Sequence, residues 1–408
     1  MGIMLLSAQS ALGQKRDFQD YVRSANYDEA LVPDYELPDP LLCLDGTVVT
    51  SVQEWEQHRR PELLQLFTEY MYGHAPEPDG GFGWEVIGTD KHYLGGRATR
   101  RDVVLHLTAD GPDVPLCLVV PHSRKPVPLF VGISFFANDS IWSPGSMAWH
   151  SWSPDSLLAH GYGLATIRYT DACPDKASDH FEHSALHKHF YQPGQKQPLP
   201  NEWGALGAWC WTLSRVMDYL QTDGLVDANR AALIGHSRLG KTVLWEGAID
   251  PRFSVIIPVN PGCCGAAISR RAVGETVECV NEFSYQWLCG NYRQFSHREG
   301  DMPFDQHEAV ALIAPRPVYI ASAEDDKWSD PRGEFLGAQG AQPVYALYGL
   351  PGIVGPDYQA DGSLQCAMPA VDDAAALGTI GYHIRRGPHA VLPYDWHQFI
   401  LFADRYLK

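Results

Sequence analysis

Residues 235–241, Gly-His-Ser-Arg-Leu-Gly-Lys, constrain the fold of this chain more than any other segment. They follow a short apolar run, 231–234, and precede a segment of helical character, 242–248. A serine at a sharp turn between a strand and a helix, with glycines on both sides, is typical of a nucleophile elbow. Such a turn exposes the hydroxyl and aims backbone N–H groups at the place where negative charge would develop. We therefore expect a chemical role for Ser237.

The motif departs from the usual Gly-x-Ser-x-Gly pattern. Its second glycine comes one residue late, at Gly240, and the basic Arg238 follows the serine directly. The alternative interpretation is a serine that caps the helix of an ordinary strand-to-helix turn. The remaining sequence has to decide between the two.

Apolar, strand-like segments alternate with helical patterns over most of the chain. This rhythm predicts an α/β fold with a mostly parallel sheet and helices on both faces, a three-layer α-β-α sandwich. Closely spaced early strands predict an antiparallel N-terminal edge. The predicted strands are 84–89, 102–108, 116–121, 128–133, 163–167, 231–235, 253–259, 316–321, 343–348 and 379–384, and the clearest helices are 54–72 and 203–220.

The length of 408 residues, without an internal repeat or a clean linker, favours one catalytic domain over residues 18–408. Two long segments, near 170–200 and 349–373, are predicted to be insertions. Residues 1–17 are a leader that resembles the end of a secretory signal, so we expect a secreted or periplasmic protein. A disordered polar leader is the alternative.

Charge and cysteine content exclude several classes of protein. Lys and Arg total 31 against 49 Asp and Glu, a net charge of -18, which argues against a nucleic-acid or anionic-membrane partner. The sequence has no run of 18 or more apolar residues, so it predicts no membrane-spanning helix. A chain of 408 residues is far too long for a disulfide scaffold, although one bridge stays open, and its nine cysteines lack zinc-type spacing.

A catalytic serine needs a base, and the base needs an orienting acid. In α/β-hydrolases these follow the serine in the order acid, then histidine, on loops after late strands. The segment 324–330 is a carboxylate cluster directly after a strand, and Asp325, Asp326 and Asp330 all qualify by position. The alternative is a solvated acidic loop, in which Asp330 caps the helix that begins near Pro331.

The base is predicted to be His389, which follows the strand-like segment 379–384 near the end of the chain. His383 lies within that strand and His397 in the final helix, so we expect structural roles for both. The histidine-rich segment 180–189 suggests a metal site, because His183 and His187 have helical i, i+4 spacing. It lacks the carboxylate placement of a zinc signature, and a polar loop or helix is the preferred interpretation.

The residue 235–241 motif resembles the nucleophile motif of bacterial glucuronoyl esterases, which have the α/β-hydrolase fold. Other segments are also similar to that family, and the resemblance extends from about Trp203 to the end of the chain. These segments are 262–276, 302–308, 314–317, 321–335 and 389–396.

The resemblance implies hydrolysis of the ester between (4-O-methyl-)glucuronic acid of glucuronoxylan and lignin alcohols. It implies that Ser237 is the nucleophile, that His389 is the general base and that Arg238 stabilises the oxyanion. It further implies that the sugar is held by Lys241, Glu275 and Trp328. The family needs no cofactor and no metal, and a monomer is the expected default.

The acid differs from the pattern of many family members. They carry a glutamate where this chain has Asn260, which cannot be negatively charged. The family's other acid position, two residues before the tryptophan, is Asp326 here, so the resemblance implies Asp326 as the acid. Two rival functions remain open: an acetyl-xylan or other carbohydrate esterase on the same fold, and a catalytically inactive carbohydrate-binding homologue.

Overall fold

The computed structural model describes residues 17–176, 181–355 and 367–408. The predicted leader therefore lies almost entirely outside the described residues, as do parts of both predicted insertions. The domain assignment stays a prediction, although one continuous sheet joins strands from residue 83 to residue 385.

The sheet of the described chain has ten strands in the order β1-β2-β3-β5-β4-β6-β7-β8-β10-β9. Six neighbouring strands are parallel to one another: β5, β4, β6, β7, β8 and β10. The strands β1, β2 and β3 form the antiparallel N-terminal edge. The strands are β1 (Gly83–His92), β2 (Ala98–His106), β3 (Asp113–Pro121), β4 (Val127–Ser134), β5 (Gly163–Arg168), β6 (Val226–His236), β7 (Val255–Val259), β8 (Val318–Ala323), β9 (Asp373–Ala375) and β10 (Ile380–Arg385).

Helices cover both faces of the sheet, as the sequence predicts. The α-helices are α1 (Phe18–Ser24), α2 (Val52–Glu54), α3 (Arg60–Phe67), α4 (Tyr93–Gly96), α5 (Asn138–Ile141), α6 (Met147–Trp152), α7 (Pro154–Ala159), α8 (Tyr169–Ala172), α9 (Ala185–Phe190), α10 (Ala205–Leu220), α11 (Arg238–Ile249), α12 (Val277–Phe283), α13 (Gln306–Ala311), α14 (Pro331–Gly340), α15 (Gln342–Leu347) and α16 (Pro393–Leu407). Turns of π-helix (Trp55–Arg59 and Thr68–Tyr72) and of 3-10 helix (Glu29–Leu31, Ser269–Arg271, Gly290–Phe295, Glu299–Asp301 and Lys327–Ser329) complete the set.

Alternating side chains of the central strands separate two hydrophobic cores. In β6, Ala231 and Leu233 pack in the core that contains α10 and α11, whereas Ala232 and Ile234 pack in the core under α16. Successive residues of a strand point to opposite faces, so each central strand contributes to both layers. The three-layer fold follows from this burial on both faces.

One predicted strand is wrong. Residues 343–348 were expected to be a buried strand, but α15 occupies 342–347, with Pro343 in its first turn. Short apolar runs suit a strand or a buried helix equally well, and proline is favoured where a helix begins. The far edge of the sheet also differs from the expectation, because the short strand β9 pairs antiparallel with β10.

The cysteines contribute to the core as thiols. None of the eight described cysteines forms a disulfide, and all eight are buried. Within the described ranges, no helix is both long and apolar enough to cross a membrane.

Replacing Gly235 by alanine tests the packing of the turn between β6 and α11. A Cβ atom at Gly235 would lie 2.3 Å from the carbonyl oxygen of Leu239, which belongs to rigid backbone. We expect Gly235→Ala to lower the free energy of unfolding by about 1–3 kcal/mol, or more if the turn cannot shift. Gly224→Ala is the matched control, because nothing lies within 4 Å of its added Cβ. Denaturant unfolding that gives equal stability for both variants would contradict this account.

Candidate active site

Ser237 occupies a strained turn between β6 and α11. Its φ of 61° and ψ of -129° are unusual for a residue with a side chain. The Ser237 N–H donates to the carbonyl of Val259 at 2.8 Å, which ties the turn to the end of β7. A Cβ at Gly240 would lie 2.9 Å from the same carbonyl, so the late glycine permits the close approach of α11 to β7. This conformation matches the predicted nucleophile elbow and differs from a helix-capping serine, since no side-chain cap bond forms.

His389 and Asp326 form a direct pair beside this turn. The His389 Nδ1 and the Asp326 Oδ2 are 2.5 Å apart, and the carboxylate is buried. The Asn260 side chain donates to the same oxygen at 3.1 Å. With Nδ1 bound to a carboxylate, Nε2 is the ring nitrogen left for acid–base chemistry.

The charge of Asp326 is maintained despite burial. Burial by itself would raise its pKa, but the hydrogen bond and charge of His389, with a further hydrogen bond from Ser329, lower the pKa below its usual value. Asp326 is therefore an anion at neutral pH. Its position next to His389 is the geometry that a triad acid requires.

The other acid and base candidates have different surroundings. Asp325 is exposed, whereas Asp330 caps α14 through the Gly333 N–H and pairs with Arg271 at 2.8 Å. His383 is buried in β10 and contacts Asp395 at 2.8 Å, and His397 is exposed on α16. The structural role predicted for His383 and the capping role of Asp330 agree with these contacts, and the structural role of His397 stays a prediction.

A cavity of about 450 Å³ connects the serine and the histidine. Most of its lining is apolar and comes from the segments after β4, from α6 and from the start of α16. The residues that line it include Phe135, Phe136, Met147, Trp152, Ser237, Arg238, His389, Val391 and Trp396. Its position at the carboxyl ends of the parallel strands is where α/β folds bind ligands.

His236 is a neighbour of His389 to which the sequence analysis assigns no role. Its ring is 4.4 Å from the ring of His389. Burial, followed by repulsion from His389, lowers the pKa of His236 well below its usual value, so this ring is neutral. A neutral neighbour supports the His389 ring by packing without competing for the charge of Asp326.

The structure brings together the three residues that the resemblance assigns to sugar binding. Lys241 pairs with Glu275 at 2.8 Å, and the Glu275 N–H donates to the Trp328 carbonyl at 2.9 Å. Gly274 makes this approach possible, since a Cβ there would lie 2.4 Å from the Trp328 carbonyl oxygen. Trp328 itself is half-buried, and its ring packs edge-on against Phe18.

The Lys241 side chain is buried, and protein acceptors already bind its ammonium group. Its ammonium donates to the carbonyls of Pro261 and Cys263 as well as to Glu275, which uses all three of its donors. Burial alone would lower the pKa of Lys241, but the Glu275 carboxylate outweighs it and the pKa is raised. A sugar hydroxyl could bond to Lys241 only by replacing one of these acceptors, so its role includes orienting Glu275.

Arg238 is clamped by residues that the sequence did not single out. Its guanidinium carbon lies 4.8 Å from the ring centre of Trp287 and 5.7 Å from that of Phe135, and Nη1 is 2.5 Å from Asp175. Asp175 lies in the predicted insertion near 170–200, and Trp287 follows a short turn. No motif marks either residue, so only the three-dimensional structure could reveal them.

The histidine-rich segment is mostly used for packing. The His187 ring is stacked 3.9 Å from the ring of Phe181 and contacts the Ser184 hydroxyl, whereas His189 pairs with Asp79. His180 lies outside the described residues. Among the residues that are described, no group of three or more His, Cys, Asp or Glu side chains is arranged to hold a metal.

Comparisons with known proteins identify close relatives. A family model described as "Glucuronyl esterase, fungi" matches residues 152–349. A carbohydrate esterase, MZ0003, from an unknown prokaryotic organism is 40% identical over 94% of this chain and 93% of its own length. The solved glucuronoyl esterase from Solibacter usitatus is 40% identical, with a TM-score of 0.85 over 93% of this chain and 100% of that one. A promiscuous CE15 esterase from a marine bacterial metagenome is 39% identical, with a TM-score of 0.84 over 94% of this chain and 100% of that one.

The burial of His187 predicts a pH dependence of stability. Burial lowers the pKa of this histidine from 6.5 to about 3. Between these values the unfolded chain binds a proton that the folded protein does not, so stability is full above pH 6.5 and falls as the pH drops toward 3. One such histidine contributes up to about 1.4 kcal/mol per pH unit.

We expect His187→Gln to show a shallower loss of unfolding free energy between pH 6.5 and 3 than the parent protein. Exposed His397→Gln is the control and should keep the parent slope. Denaturant unfolding at a series of pH values measures both slopes. Identical slopes for the parent and His187→Gln would show that the buried ring is protonated in the fold.

Proposed function

Since this chain belongs to the glucuronoyl esterase family, we propose that it hydrolyses esters of (4-O-methyl-)glucuronic acid through an acyl-enzyme on Ser237. The observation that carries the proposal is the pairing of His389 with the buried Asp326, since His389 lines the same cavity as a serine held at φ 61°. The natural substrate class is the ester that joins glucuronoxylan to lignin alcohols.

In the proposed first step, the Ser237 oxygen attacks the ester carbonyl while His389 Nε2 accepts the hydroxyl proton. The bond between the carbonyl carbon and the alcohol oxygen then breaks, and the imidazolium returns its proton to that oxygen. The charge of Asp326 stabilises the imidazolium between these two transfers. Its buried hydrogen bond to Nδ1 also fixes the ring so that Nε2 remains available.

In the second step, water replaces the alcohol. His389 takes a proton from the water, the hydroxide oxygen bonds to the acyl carbon, and Ser237 leaves with the proton returned to it. The product is a uronate carboxylate and the serine is regenerated. No cofactor or metal takes part in either step.

The developing oxyanion is proposed to lie beside Arg238. This residue begins α11, where N–H groups lack intrahelical acceptors, and its side chain lines the cavity next to Ser237. A guanidinium adds a full positive charge to this helix terminus. Removing a single oxyanion donor typically costs on the order of 100- to 1000-fold in turnover.

The acid role is proposed for Asp326 because Asn260 cannot take it. Asn260 stands where many relatives are expected to carry a glutamate, and here its amide donates to the Asp326 carboxylate at 3.1 Å. Asn260 therefore stabilises the Asp326 carboxylate as a hydrogen-bond donor. A glutamate at that position would instead place a second negative charge against Asp326.

The sugar is proposed to contact Glu275 and Trp328, while Lys241 orients Glu275 through their ion pair. Glu275 is half-buried and presents a carboxylate whose position is set by Lys241, and the indole of Trp328 offers an apolar face with one N–H donor. Both suit a sugar ring, which has hydroxyls at its rim and apolar C–H groups on its faces. An acetyl esterase would have no need for this arrangement, which favours the glucuronate ester over the acetyl-xylan alternative.

A secreted or periplasmic location is part of the proposal, because a cell-wall polymer is met outside the cytoplasm. Nucleic acid and membranes are not proposed as partners, in keeping with the net charge of -18. The monomeric state stays a prediction.

The direct test measures kcat/KM for benzyl glucuronate and for an aryl acetate, with the parent protein and Glu275→Gln. We expect the parent to prefer the glucuronate ester, and the variant to lose about 10- to 100-fold on that substrate alone, because the acetate lacks the sugar. Glu62→Gln on α3, which loses a comparable ion pair to Arg59, is the matched control and should change neither rate.

Ser237→Ala serves as the blank in the same assay. Turnover that survives in this variant would contradict the acyl-enzyme mechanism. A parent protein that prefers the acetate would belong functionally with other carbohydrate esterases. An equal loss on both substrates in Glu275→Gln would show that the carboxylate does not contact the sugar.

A further inference from the structure

We propose that Asp175 is a positioning residue for the reaction: its carboxylate fixes the guanidinium of Arg238 in the place where the oxyanion develops. The inference rests on the proposed function, since it concerns how Arg238 performs its part in ester hydrolysis. Asp175 itself is not proposed to touch the substrate.

The Asp175 carboxylate accepts hydrogen bonds from three side chains. Oδ2 accepts from Nη1 of Arg238 at 2.5 Å. Oδ1 accepts from Nε2 of Gln286 at 2.7 Å and from Nε1 of Trp287 at 2.8 Å. Its side chain is only 5% exposed. A buried carboxylate with three donors of fixed direction has little freedom to move, so it is a rigid anchor.

The same carboxylate holds both the Arg238 guanidinium and the indole ring that packs against it. It binds one end of the guanidinium and the indole N–H of Trp287, over whose ring the guanidinium lies at 4.8 Å. Phe135 approaches the guanidinium from another side at 5.7 Å. An arginine side chain has four rotatable bonds and would otherwise sample many positions. One ion pair and two aromatic rings leave a single favoured position at the cavity.

Position matters more than charge for an oxyanion donor. Groups that stabilise a transition state act best when they are already oriented, since no energy is then needed to move them during the reaction. The two terminal nitrogens of Arg238 carry four N–H groups, and Asp175 takes one at Nη1. The ion pair thus orients the guanidinium while leaving donors for the substrate.

This role gives a purpose to part of the long segment 170–200. Asp175 follows β5 and α8 and reaches the start of α11, so the segment delivers a carboxylate from one parallel strand to the serine turn of another. Gln286 and Trp287 arrive from a different loop, after α12. The carboxylate therefore joins three separate parts of the chain at Arg238.

The test is a double-mutant cycle with Asp175→Asn, Arg238→Ala and the combined variant, assayed on benzyl glucuronate. Asparagine keeps the shape of the side chain but removes its charge. We expect Asp175→Asn to lower kcat about 10- to 100-fold with little change in KM, because the interaction acts in the transition state. In the Arg238→Ala background the same substitution should cause no further loss, since its effect passes through Arg238.

Asp223→Asn is the matched control for the loss of a buried carboxylate. Asp223 is also fully buried and accepts from Nη1 of Arg101 at 2.5 Å, but it lies at the end of α10 and does not line the cavity. We expect it to lower the melting temperature while kcat per folded molecule stays at the parent level. Melting curves of all variants correct the rates for the folded fraction.

Two results would overturn the inference. One is an equal fold-loss from Asp175→Asn with and without Arg238. The other is a loss from Asp175→Asn that disappears after correction for the folded fraction, which would make the residue purely structural. If the parent protein does not cleave glucuronate esters, the proposed function fails, and the cycle run on an aryl acetate still decides whether Asp175 acts through Arg238.

Discussion

A carboxylate removed from water keeps its charge only where hydrogen-bond donors surround it. Asp326 meets this condition through His389, Asn260 and Ser329. Its hydrogen bond to Nδ1 fixes both the orientation of the His389 ring and the nitrogen that remains for chemistry. In the proposed mechanism, this interaction holds the base in a defined position beside the strained serine.

The parallel sheet provides the frame for this interaction. Ser237 follows β6, Asn260 follows β7, Asp326 follows β8 and His389 comes after β10, and these four strands are neighbours in the sheet. Parallel strands end at the same edge, so residues far apart in the chain become adjacent without any long connection between them. The same rule places Phe135, after β4, next to Arg238. Side chains buried on both faces of the central strands keep this edge rigid.

Much of the fold and part of the site were predictable from the sequence, because their causes are local. The strand, glycine-flanked serine and helix form within the single segment 226–249, and the order of acid and histidine follows from the fold. The apolar segments of the sequence also predicted nearly all strands. The strand predicted at 343–348 was wrong because a short apolar run with a proline suits the start of a helix as well as a strand.

The remaining features depend on contacts that no local pattern records. Asp175 contacts Arg238 although it lies 63 residues earlier in the chain. Trp287, which lies later in the chain, packs against the same guanidinium. The full use of the Lys241 donors depends on two backbone carbonyls of the loop after β7. The pairing of Asp326 with Asn260 likewise joins residues 66 positions apart. Such networks are fixed by tertiary packing, so a sequence pattern could name the central residues but not their supports.

The most direct measurement is kcat for benzyl glucuronate with the parent protein and with Asp326→Asn, at equal folded concentration. Asparagine preserves the shape of the side chain and removes the charge that stabilises the imidazolium. The account predicts a loss on the order of 1,000- to 10,000-fold, the size seen when a triad acid is neutralised. Turnover close to that of the parent would contradict it, and the acid would then have to be Asp325 or another carboxylate near His389.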